Sequence, residues 1–104
     1  MDNKSRVLSL ISLSKKAGKL VLGFDVTKKE IFKGTVDCIF VCCDLSEKTL
    51  KEVNYICSDM EVEVKELPIT LDEMWYEVGK RSGVICITEY GFVKKISALL
   101  DNAN

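Results

Sequence analysis

Apolar positions along the chain alternate between two periods. From residue 5 to 17, Val7, Leu8, Leu10, Ile11 and Leu13 recur at helical spacing, and Gly18 supplies a left-handed stop. Leu20-Val21-Leu22 is a short apolar strand ending at Gly23, after which Phe24 to Lys33 reads as a helix closed by Gly34. Cys38-Ile39-Phe40-Val41-Cys42-Cys43 is an unbroken apolar run with β-branched and aromatic members, the pattern of a strand covered on both faces. Ser46 can cap a third helix in which Leu50, Val53 and Cys57 form an apolar stripe, and Val62 and Val64 then alternate with acids as in a half-exposed strand. Thr70-Leu71-Asp72-Glu73 is a capping box, and Leu71, Met74, Trp75 and Val78 follow the i, i+3, i+4, i+7 template of a helix ended by Gly79. A basic loop, Gly79-Lys80-Arg81-Ser82-Gly83, leads to a second fully apolar strand, Val84-Ile85-Cys86-Ile87. Phe92, Ile96, Leu99 and Leu100 mark a last amphipathic helix.

Strict alternation of short strands with helices predicts an α/β fold. The expected form is a three-layer α/β/α sandwich around a central, mostly parallel sheet of about four strands with right-handed crossovers. A length of 104 residues suits one domain, 1–104, and no linker, low-complexity run or internal repeat divides it.

Charge changes this picture more than composition does. The net charge of −1 argues at first against nucleic acid, but it hides an asymmetry. Residues 1–34 hold eight basic side chains (Lys4, Arg6, Lys15, Lys16, Lys19, Lys28, Lys29, Lys33) against three acids, a balance of +5. The remaining seventy carry seven bases and thirteen acids, a balance of −6. If the basic segment folds onto one side, the domain has one positive and one negative face; the plainer alternative is a set of solvated helix faces. No apolar run reaches the roughly 18 residues of a membrane span and no signal-peptide pattern opens the chain, so a cytoplasmic protein without membrane contact is expected. Five cysteines without histidine or a CxxC pair fit neither a disulfide framework nor a standard zinc site; reduced core thiols are the simpler reading, with no metal and no cofactor.

In such a sheet ligands bind beyond the carboxyl ends of the strands, which directs attention to the loops after Leu22, Cys43 and Ile87. At Gly23 the following helix offers free backbone N–H groups and a partial positive charge beside Lys28 and Lys29. Cations so early in a helix oppose its dipole, and a bound anion would account for them.

Leu20-Val21-Leu22-Gly23-Phe24-Asp25-Val26-Thr27-Lys28-Lys29 resembles the G-x-N-E-x-x-K signature of the kink-turn-binding family of archaeal ribosomal protein L-seven-Ae. Lys15-Lys16-Ala17-Gly18-Lys19, Phe40-Val41-Cys42-Cys43-Asp44, Gly79-Lys80 and Thr88-Glu89-Tyr90-Gly91-Phe92 are similar to its short bacterial YlxQ-like members, so that the resemblance spans nearly the whole chain. It implies a non-catalytic, monomeric RNA-binding protein, ribosomal or ribosome-associated, whose partner is rRNA or another kink-turn-containing RNA. In the family the glycine turns the strand toward RNA, the Asn and Glu positions bond sheared G·A pairs, and the lysine contacts them or the backbone. Gly23 and Lys29 match. Asp25 stands at the Asn position and can only accept, and Val26 at the Glu position can make no hydrogen bond. The family's second contact, the loop before the last strand, packs on a flipped-out base; by position it falls on Gly79 to Gly83, which holds Lys80, Arg81 and Ser82, and where Lys80 and Arg81 favour phosphate contact over apolar packing. Lys28 and Lys33 share the helix of Lys29, Thr27 is a weaker candidate there, and Lys15, Lys16 and Lys19 could extend the basic face.

Two other classes compete. An enzyme without histidine would use a cysteine or a carboxylate pair, and Cys43 with Asp44 ends the central strand on the ligand side. A protein-interaction module would use the acids Glu61, Glu63, Glu66, Asp72, Glu73 and Glu77.

Overall fold

The computed structural model describes residues 2–101; residues 1 and 102–104 of the expected domain lie outside the described residues. Its elements are α1 (Asn3–Lys16), β1 (Leu20–Leu22), α2 (Phe24–Lys33), β2 (Cys38–Cys42), α3 (Glu47–Asp59), β3 (Glu63–Leu67), α4 (Leu71–Val78), β4 (Val84–Ile87) and α5 (Tyr90–Asp101). Local chemistry sets their ends. Asp2 and Ser46 accept from the first-turn N–H groups of Ser5 and Thr49, the Thr70–Glu73 capping box is closed in both directions, and Gly34 and Gly79 stop their helices in the left-handed region.

Side-chain alternation in the two apolar strands divides the core into two layers. Cys38, Phe40, Cys42, Ile85 and Ile87 meet Val7 and Ile11 of α1, Met74 and Val78 of α4, and Val93 and Ile96 of α5. Ile39, Val41, Val84 and Cys86 meet Ile31 of α2 and Val53 and Cys57 of α3 on the other face. The three-layer α/β/α sandwich read from the sequence is therefore the fold, with the helices placed three and two.

The sheet is mixed rather than mostly parallel. Its order is β1-β4-β2-β3; β2 and β3 are parallel, whereas β4 runs antiparallel to both β1 and β2. The reason is the shortness of α4. Eight residues span about 12 Å, too little to carry the chain back along the sheet. Both ends of α4 stay where β1 and β2 finish: Leu71 N–H donates to Asp44 at 2.9 Å, and beyond Gly79 the Gly83 carbonyl accepts from Cys42 N–H at 2.9 Å. The only direction left for β4 is downward. Gly83 fixes this corner, since a Cβ there would come within 2.5 Å of Leu45 Cδ1 and 2.9 Å of Leu71 Cδ2.

Two positions depart from their apolar stripes. Leu13 is 51% exposed, and Trp75, at the i+4 position of α4, is 58% exposed while Met74 and Val78 are buried. The core face of α4 is narrow, and the indole falls outside it.

Candidate nucleic-acid interface

The joint between β1 and α2 is built around Gly23. Its φ of 110° and ψ of 150° lie where only glycine is comfortable. In that conformation its N–H donates to the Val84 carbonyl at 2.9 Å and its own carbonyl accepts from Thr27 N–H at 3.0 Å. Thr27 is thus the first α2 residue to find an intrahelical partner. Gly23 has no side chain to cap the turn, so the N–H groups of Phe24, Asp25 and Val26 open outward with the positive end of the helix dipole.

The reversed β4 brings the second expected surface here. Lys80 Nζ donates to the Leu22 carbonyl at 3.4 Å and lies 3.7 Å from where a Cβ on Gly23 would be. Lys15 joins from α1, its ammonium capping the C-terminus of α4 through the Val78 carbonyl at 2.6 Å. The loop after Ile87 is excluded by the same reversal: Thr88 N–H bonds the Lys19 carbonyl, at the start of β1 and the opposite end of the sheet. The Lys19 backbone belongs to that far end as well.

On α2 the two adjacent lysines differ. Lys28 is held against its own helix, its ammonium 3.4 Å from Asp25 and 4.7 Å from the centre of the Phe24 ring. Lys29 is exposed on the side of Val26, three residues earlier, whose Cγ2 lies 3.8 Å from the Cβ position of Gly23. Val26 itself is 46% exposed, an apolar group at the mouth of the site. Gly23, Val26 and Lys80 therefore meet, while Asp25 and Lys29 are exposed on the first two turns of the same helix. Lys33 sits at the far end of α2, paired with Glu30 at 3.3 Å. Arg81 stands beside α4, its Nε 3.1 Å from Asp72. Ser82 is buried and donates to the Val84 carbonyl at 3.0 Å, so its hydroxyl serves the loop. Thr27 is also buried, beneath the helix. The capping role of Lys15 was not legible in sequence, because its acceptor lies 63 residues away.

The residues of the rival readings are dispersed or occupied. Burial pushes the Cys38 and Cys42 thiols up to about 12 and Cys86 to about 11, and raises Cys57, as expected of core thiols. Cys43 is exposed, but the adjacent Asp44 is engaged with Leu71 N–H. Of the acids, Glu61, Glu63 and Glu66 lie at or beside the edge strand β3, whereas Glu73 pairs with Lys4 and Asp72 with Arg81 on α4. Among the described residues no cluster of three metal-ligating side chains occurs, and no helix is long and apolar enough to cross a membrane.

Known proteins share both sequence and fold. An RNA-binding protein YlxQ of Enterococcus faecium is 34% identical over 99 residues, covering 95% of each chain. Its namesake from Bacillus subtilis is 30% identical over 93 residues, covering 88% of this chain and 92% of the other. A Bacillus halodurans protein of unknown function superposes with a TM-score of 0.82 at 27% identity, over 92% of this chain and 97% of that one. A 15.5 kD RNA-binding protein of Giardia lamblia has the same fold, with a TM-score of 0.72 at 10% identity over 97% and 87% of the two chains. Residues 5–94 match the sequence profile of one family throughout, and the chain belongs to it: the ribosomal protein L7Ae/L30e/S12e/Gadd45 family.

Proposed function

We propose that this chain is a non-catalytic RNA-binding protein of the cytoplasm that acts as a monomer on structured RNA, a kink-turn of ribosomal RNA being the foremost candidate. One observation carries the reading: Lys80, from a loop almost sixty residues further along the chain, lies at the uncapped N-terminus of α2 beside Gly23, on the helix that also carries the exposed Lys29. Outward N–H groups and ammonium groups suit phosphate oxygens, which position an RNA without reading its sequence. The two relatives named as RNA-binding proteins support the same conclusion.

Base recognition rests on less. Asp25 can accept from guanine amino and imino groups, but its carboxylate is shared with Lys28; Val26 offers only an apolar contact. Phosphate positioning and RNA shape therefore outweigh base-edge reading at this site. The test is binding of kink-turn, kink-loop and plain duplex RNAs at several salt concentrations. Binding should fall steeply with salt, and a kinked RNA should lead by a modest factor. Failure to bind any of the three RNAs at low salt would refute the reading.

A further inference from the structure

The RNA reading leaves the most conspicuous exposed aromatic pair on the molecule without a role. Trp75 is 58% and Tyr76 86% exposed, adjacent on an eight-residue helix whose other apolar members, Leu71, Met74 and Val78, turn toward the core. An indole is usually much more deeply buried, so two large rings left in water on so short a helix call for a ligand.

Their position says which. Trp75 lies in the last turn of α4, where its carbonyl accepts from Gly79 N–H at 2.9 Å. Beyond Gly79 the loop carries Lys80 to the Leu22 carbonyl beside Gly23. The loop also folds back along α4, since Arg81 Nε reaches Asp72 at 3.1 Å. Trp75 and Tyr76 stand three and four residues after Asp72, the residue that Arg81 reaches, and so share its side of the helix. Lys15 meets the end of the same helix at the Val78 carbonyl. Of the three acids on this helix, Asp72 pairs with Arg81 and Glu73 with Lys4, and Glu77, next to Tyr76, forms no ion pair among the described residues. The helix that carries the rings thus also holds the partners of Lys15 and Arg81, and the loop that follows it brings Lys80 to the Gly23 turn.

We propose that Trp75 and Tyr76 form a stacking platform for unpaired nucleobases, extending the RNA surface from the Gly23 loop onto α4. The proposal rests on the RNA-binding reading above. Exposed aromatic rings on an element that also gathers cations suit a single-stranded segment, whose bases stack on π faces while its phosphates meet the ammonium and guanidinium groups. A paired duplex keeps its bases stacked on one another and gains nothing from the rings. A protein partner can also use exposed Trp and Tyr; what favours a phosphate-bearing ligand here is the set of cations held on the same helix and its loop.

Trp75 is the sole tryptophan of the chain, so its emission reports directly on the platform. The experiment titrates the full-length protein with two fluorescein-labelled RNAs, one duplex with a short single-stranded bulge and the same duplex fully paired. Label anisotropy and tryptophan emission are followed together. The bulged RNA should quench Trp75 with the midpoint seen by anisotropy. Trp75→Ala should weaken the bulged RNA roughly tenfold and leave the paired duplex unchanged. Trp75→Phe should recover most of the loss, and Tyr76→Ala should show a loss of its own. Circular dichroism checks that each variant folds.

Anisotropy reporting binding while Trp75 emission stays constant, with Trp75→Ala binding the bulged RNA normally, would overturn the platform and leave RNA binding standing. An emission maximum of Trp75 that shifts to the blue as protein concentration rises before RNA is added would show the rings covered by a second copy, and would overturn it too. Failure of anisotropy to detect either RNA would remove the platform together with the RNA-binding reading.

Discussion

Lys80 donates to the carbonyl of Leu22 across 58 positions of sequence, tying the loop before the central strand to the end of the edge strand. The bond is exposed, so it contributes little to stability but places a cation beside the Gly23 turn. Lys80→Ala should therefore change unfolding by less than about 0.5 kcal/mol. It should flatten the slope of log affinity against log salt by about one unit, as expected for one lost phosphate contact. An unchanged slope would remove Lys80 from the interface.

Lys29 and Lys28 form a matched pair with opposite expectations. Lys28 is committed to Asp25 and the Phe24 ring, whereas Lys29 is exposed beside Val26. Lys29→Ala should cost about 1–3 kcal/mol of RNA binding with little effect on folding, and Lys28→Ala clearly less. Equal losses in a titration of both variants would reduce the site to diffuse electrostatics.

The departures from the family signature can be reversed. Asp25→Asn with Val26→Glu restores a donor and an acceptor at the mouth of the site and also releases Lys28 from its partner. Selectivity for a kink-turn over plain duplex should rise by about 1–3 kcal/mol, the scale of base-edge hydrogen bonds. If the double variant binds both RNAs in the original ratio, the ligand's register on α2 is misplaced.

The Lys4–Glu73 pair between α1 and α4 offers a pH test. The hydrogen bond from Lys4, helped by that from Thr70 N–H, holds the Glu73 carboxyl below its ordinary value of 4.5. A carboxyl whose folded pKa is depressed stabilises fully above the unfolded value and loses that contribution as pH falls through the folded one. Wild type should exceed Glu73→Gln in urea midpoint at neutral pH, and the two should converge as pH falls below the ordinary carboxyl value of 4.5 and through the depressed folded one. A gap that stays constant over this range would mean that the pair with Lys4 adds nothing.

Much of this architecture is legible in sequence because it is local. Gly34 and Gly79, the Thr70–Glu73 box and the Ser46 cap write helix ends into neighbouring residues, and the apolar runs of β2 and β4 announce strands buried on both faces. Strand direction is different. Val84-Ile85-Cys86-Ile87 reads the same in a parallel or an antiparallel sheet, and only the reach of α4 decides between them. The site was half legible for the same reason. Gly23 and Lys29 stand within one local signature, whereas Lys80 at Leu22 and Lys15 at Val78 depend on contacts across the fold. Trp75 fitted the helical period and still lies outside, since periodicity gives a side and not the width of what covers it.

The insertion of β4 between β1 and β2 also sets an order of events during synthesis. Within the sheet β1 has β4 as its one neighbour, while β2 and β3 follow one another and pair directly. A nascent chain that has emerged as far as Val78 can form β2, α3 and β3, but β1 still waits for a strand more than sixty residues downstream. Closing that long loop is the slow, entropically costly step. Leu22 and Lys80 meet only when it is complete, so a half-made chain lacks the contact on which the proposed RNA surface depends.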